Sequence, residues 1–126
     1  MQGRFFKRGA VGRTKFGYDL RGMVQRDFLV RMRETLGGVF AERFQGLLLY
    51  GSEARGQSRA DSDIDLLVLL RGPVQLGADL NAIIAATYPM QLELDRPLHV
   101  LPVNWDDFNL GQFALYRNAK KEGVLL

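Results

Sequence analysis

Residues 66–70 read Leu-Leu-Val-Leu-Leu, and two carboxylates, Asp63 and Asp65, stand at the head of this run. Turn-forming residues bound it on both sides, so it reads as a strand. A strand with one wet face would alternate apolar and polar residues; a continuous apolar strand is expected where helices cover both faces. Successive side chains on a strand point to opposite sides, so Asp63 and Asp65 share a face and Ile64 points the other way, into the core. Their Cα atoms are then about 6.5–7 Å apart. The chain is therefore expected to place paired carboxylates at the mouth of a fully buried strand.

The flanking sequence supplies the covering layers. Val24, Phe28, Met32, Leu36, Val39, Phe40 and Phe44 recur at helical spacing and predict an amphipathic helix over 23–43, with Gly37-Gly38 as a point of kinking. Gly46 punctuates, residues 47–50 (Leu-Leu-Leu-Tyr) read as a short buried strand, and 51–62 is loop in composition. After Arg71-Gly72-Pro73, a helix over 76–88 is expected to turn Leu76, Leu80, Ile83, Ile84 and Tyr88 inward, with Pro89 as its stop. Residues 98–103 read as a third strand. Asn104 is a candidate N-cap for a short helix over 105–110, and a last helix over 112–121 ends at Gly123. Trp105, Phe108, Phe113 and Tyr116 read as a core stripe closing the domain. The order predicts an α/β (α+β) domain with a small mixed sheet flanked by helices.

Two like charges at the mouth of an apolar strand repel, and a cation between them relieves this. Carboxylates so placed can converge on one magnesium ion or bracket two that lie about 3.5–4 Å apart. The same pair also fits a solvated strand end. Gly51-Ser52, directly after the first strand, adds phosphate chemistry: glycine admits a phosphate close to the backbone, and a serine hydroxyl donates to its oxygens. Residues 51–58, Gly-Ser-Glu-Ala-Arg-Gly-Gln-Ser, nearly match a P-loop, but Gln57 replaces the lysine that grips the phosphates, which argues against a P-loop NTPase.

Gly51-Ser52, ten intervening residues and Asp63-Ile64-Asp65 resemble the signature of the DNA polymerase β-like nucleotidyltransferase superfamily. Residues 47–70 are similar to the minimal nucleotidyltransferases, small domains often partnered with HEPN proteins, and the likeness extends more loosely to the C-terminus. The resemblance implies the polymerase β-like fold. It implies that Asp63 and Asp65 bind catalytic Mg2+, with two ions expected, and that Gly51 and Ser52 hold the triphosphate of ATP or another NTP. Arg55 is a candidate phosphate contact or a solvated loop residue. Ser62 is read as capping the strand entrance. The implied reaction transfers AMP from ATP to a hydroxyl on a HEPN toxin, which makes the chain antitoxin-like. The alternative is a catalytically degenerate relative that acts as a binding partner or as a nucleic-acid-associated module.

The family usually supplies a third carboxylate from a later strand beside the Asp-x-Asp strand. Alignment of residues 98–103 to that strand puts His99 there. Imidazole is a competent base but a poor magnesium ligand, and a structural histidine is the other reading. Glu93, with Asp95 as a second choice, can serve if the strand begins early.

Charge divides the chain. Residues 1–22 hold six basic residues and one acidic, net +5; the remaining 11 basic and 13 acidic residues leave residues 23–126 at −2. The leader is read as poorly ordered or as an arm for nucleic acid. The domain proper is placed at 23–126. With no cysteine, thiolate sites and disulfides are excluded, which suits a cytoplasmic location. No apolar run approaches the roughly 20 residues of a membrane helix.

Overall fold

The computed structural model describes residues 26–51, 54, 63–94 and 96–126. The expectations for residues 1–22, Ser52, Arg55, Ser62 and Asp95 lie outside them.

Helix α1 (Arg26–Phe40) buries Phe28, Leu29, Met32, Leu36 and Phe40. It runs through Gly37-Gly38 without a break, and a short 3-10 turn (Ala41–Arg43) follows. Each glycine costs a helix about 1 kcal/mol; burial of Leu36 and Phe40 on either side of the pair offsets it.

Strand β1 (Phe44–Tyr50) begins before Gly46, which therefore does not end an element. Gly46 sits at a register irregularity with φ 155°, where a Cβ would lie 2.9 Å from Cδ1 of Leu125. Strand β2 (Ile64–Leu70) pairs antiparallel with β1, and strand β3 (Leu98–Asn104) pairs parallel with β2. Strand β4 (Val124–Leu125) pairs antiparallel with β1. The sheet order is β3-β2-β1-β4, a mixed sheet as expected, with β4 added. Two residues carry no readable periodicity, so the sequence did not signal β4.

Both faces of β2 are covered. Ile64, Leu66, Val68 and Leu70 pack in the cluster that contains α1 and residues Ile83 and Met90 of helix α2 (Leu76–Gln91). Leu67 and Leu69 pack on the other face with Phe108 and Ala119. Those two residues belong to helices α3 (Trp105–Leu110) and α4 (Ala114–Glu122). Asn104 caps α3, its Oδ1 accepting from the Asp107 N–H at 2.8 Å. Of the aromatic stripe, Phe108 is buried and Trp105 and Tyr116 are partly so, but Phe113 is exposed.

Helix α2 departs from expectation in two ways. It continues past Pro89 to Gln91, where buried Met90 anchors its last turn. Gln91 then ties that turn to β3, donating to the Arg96 carbonyl and accepting from the Leu98 N–H, both at 2.9 Å. The buried face is also rotated: Asp79, Ile83, Thr87 and Met90 face inward, while Leu76, Ile84 and Tyr88 are exposed. Apolar periodicity misses this because the two polar residues bury with partners. Asp79 takes both Arg43 guanidinium nitrogens at 3.0–3.1 Å and the Gln75 N–H at 2.9 Å; Thr87 donates to the Ile83 carbonyl at 2.8 Å. Satisfied polar groups can sit inside at little cost.

Candidate active site

Asp65 lies in the sheet between Tyr50 of β1 and His99 of β3. The ladder is anchored just upstream, where the Ile64 N–H donates to the Pro97 carbonyl at 2.9 Å. Cross-strand partners in a parallel pair project to the same side, so His99 meets the aspartates directly. Its Nδ1 is 3.4 Å from Oδ2 of Asp63 and 3.5 Å from Oδ1 of Asp65. The three side chains grade outward: 27% exposed for Asp65, 45% for Asp63 and 60% for His99.

That gradient sets the electrostatics. Burial raises the pKa of the Asp65 carboxyl above the ordinary value and the charge of Asp63 raises it further, against the opposing pull of His99. The Tyr50 phenol is pushed up as well, by burial and then by the charge of Asp65. Among the described residues, the site thus holds negative charge that is only partly neutralised.

Gly51 joins the two halves of the motif. It has φ 78°, and a Cβ there would lie 2.6 Å from Oδ2 of Asp65. The chain leaving β1 turns over the carboxylate, with room for hydrogen alone. Glycine at this position clears Asp65, a role that spacing does not reveal.

Gly51, Asp63, Asp65 and His99 are brought together. Glu93 is not: it sits in the turn after α2, and its carboxylate takes Arg31 at 2.6 and 3.3 Å. Because β3 begins only at Leu98, the early strand that would carry Glu93 to the aspartates does not form. Among the described residues, no group of three or more His, Asp or Glu forms a ready metal cluster. The donor set nonetheless fits magnesium, which takes one or two protein carboxylates and completes its shell with phosphate and water. Asp63 and Asp65 would hold it. Tyr50 was not singled out from the sequence as a site residue, because its place beside Asp65 comes only from strand register.

The family model for the nucleotidyltransferase domain matches residues 38–126, well over half of the chain. The chain belongs to this family. The nucleotidyltransferase domain so defined contains all of β1 to β4 and the Gly51, Asp63, Asp65 and His99 constellation. A crystal structure of a candidate nucleotidyltransferase from Sulfolobus solfataricus is similar at 19% identity and a TM-score of 0.41, over 79% of this chain and 82% of that one. None of the curated proteins matches the chain. No helix among the described residues of the nucleotidyltransferase domain is long and apolar enough to cross a membrane.

Proposed function

We propose that this nucleotidyltransferase domain is a magnesium-dependent enzyme that transfers AMP from ATP to a hydroxyl on a partner protein. The observation that carries the reading is the carboxylate pair, Asp63 and Asp65, on one face at the end of β2, with Gly51 folded against Asp65. Bound magnesium would supply charge neutralisation and a template for in-line displacement. Asp63 and Asp65 present oxygens on one side of the sheet and would hold the ion there. The acceptor oxygen attacks the α-phosphorus, the bond to the bridging oxygen breaks, and pyrophosphate departs with that electron pair. The hydroxyl proton goes to a base, and the His99 imidazole facing both carboxylates is the group we assign. Likeness to the minimal nucleotidyltransferases makes a HEPN-domain protein the first acceptor to test, in an antitoxin-like role.

A second reading has one observation in its favour. Beside Asp65 stands an imidazole, His99, and no third carboxylate among the described residues, and Glu93 is engaged elsewhere. A relative weakened in this way would act by binding its partner.

Incubation with labelled ATP, magnesium and a candidate HEPN protein separates the two. Label transfer by the wild type, lost in an Asp63→Asn, Asp65→Asn variant, supports the enzyme. Transfer that survives the double substitution overturns the metal mechanism. Binding of the partner without transfer favours the degenerate reading.

A further inference from the structure

A cleft of about 500 Å³ straddles the free edge of β3. Alternate residues of a strand point to opposite faces. On the face that packs against α2, Leu98 and Val100 line the cleft with Leu80, Ile83, Ile84 and Tyr88. On the opposite face His99 and Leu101 line it, together with Asp65 and Tyr50, their neighbours across the sheet. The cleft therefore bends around one edge strand, from an apolar wall to the carboxylates. Its volume is that of a small-molecule site.

The two ends differ in chemistry. Asp65 is the carboxylate in the lining, and neither lysine nor arginine lines the cleft among the described residues. Asp63 adds a second negative charge beside it, with both carboxylates 3.4–3.5 Å from the same His99 nitrogen. The α2 end carries no formal charge: the one carboxylate of that helix, Asp79, is buried against Arg43, and the helix contains no Lys, Arg or His. Tyr50 brings a ring to the carboxylate end and Tyr88 another to the apolar wall.

These two ends select a ligand with two matching parts. An anion would meet Asp63 and Asp65 and be repelled. A neutral apolar molecule would fill the wall and leave the carboxylates without a partner. A bare cation would pair with the carboxylates and leave the wall in water. An ammonium group on an apolar body satisfies both ends, with the Tyr50 ring beside its charged head. We propose that this cleft binds a small organic cation, its ammonium on Asp65 and Asp63 and its aromatic or branched body across the edge of β3 against Ile83, Ile84 and Tyr88. Such a ligand takes the oxygens that a metal would use, so it acts as an inhibitor of metal loading.

Binding to the full-length protein in EDTA tests this, with phenethylamine, 2-phenylethanol, 3-phenylpropionate and ethylamine as probes and methyl NMR of Ile83, Ile84 and Leu101 as readout. Phenethylamine should shift methyls on both sides of the β3 edge saturably, and bind at least about tenfold more tightly than each of the other three. Equal binding by the alcohol or the acid removes the role of the carboxylates and overturns the proposal. Equal binding by ethylamine removes the role of the wall and does the same, as does the absence of a saturable shift. Asp65→Asn should bring phenethylamine and 2-phenylethanol to within about twofold of each other; a preference that survives puts the ammonium elsewhere and sinks the site. Ile84→Lys, at a position 51% exposed, should weaken phenethylamine by about tenfold, and an unchanged affinity means that the body does not lie on α2. If Nα-acetyl-lysine methylamide binds as tightly as phenethylamine, the occupant is a protein side chain and the small-molecule assignment is wrong. No arm requires nucleotidyl transfer, so the cleft assignment stands or falls apart from the proposed reaction.

Discussion

Asp65 reaches so far over Gly51 that a methyl group on residue 51 would lie 2.6 Å from its Oδ2. The glycine and the aspartate therefore form one device, in which the turn after β1 depends on the position of the carboxylate. Gly51→Ala should disturb both partners. The φ of 78° and the close approach together should cost about 1–3 kcal/mol of stability. The displaced Asp65 should also weaken Mn2+ or Mg2+ binding. Urea unfolding and titration calorimetry read the two effects; a variant as stable as wild type with unchanged metal affinity would show that the turn relaxes freely.

Asp65 should make the metal-free protein less stable as pH rises. Its carboxyl has a raised pKa because it is partly buried, so the folded state holds the proton more tightly than the unfolded chain does. Stability should therefore fall as pH rises from the ordinary carboxylate value through the elevated one. Asp65→Asn should remove that slope and be more stable than wild type at neutral pH in EDTA, while losing metal binding. Urea melts across this pH range check the prediction, and a slope that persists in the variant would assign it to another group.

His99 stands in register with Asp65 and faces both aspartates. His99→Glu should therefore tighten magnesium binding, by about tenfold or more. It should also lower the stability of the metal-free protein, because three carboxylates then repel. Calorimetry with magnesium and melting with and without metal measure both. An unchanged affinity would mean that residue 99 does not reach the ion.

Asn104 works at two joints. Its Oδ1 caps α3, and its Nδ2 donates to the Gly72 carbonyl at 2.6 Å. Asn104→Ala should cost about 1–2 kcal/mol. Asn104→Asp keeps the cap but loses the donor, so it should fall between the two in a denaturant titration. If both variants match wild type, neither bond contributes.

The strand-loop-strand unit was legible because local rules agree there. The continuous apolar run of β2 announced cover on both faces, and strand parity placed Asp63 and Asp65 together without any knowledge of the tertiary fold. The Asn104 cap was readable for the same reason: it depends on a residue only three positions away. Helix α2 was misread because burial of Asp79 depends on Arg43, which is 36 residues distant. Periodicity scores hydrophobicity alone and has no means of seeing a remote partner. It therefore turned the exposed row of Leu76, Ile84 and Tyr88 inward.

By itself, then, the sequence determined that two carboxylates project from one face of a buried strand and that a glycine follows the strand before it. Those facts rest on bond geometry and on spacing over a few residues. Only the tertiary structure decided what meets them. Parallel pairing of β2 with β3 selects His99 over Glu93, and the tight turn after β1 sets Gly51 against Asp65. Register between distant strands is settled by the packing of the whole sheet, and no local pattern contains it.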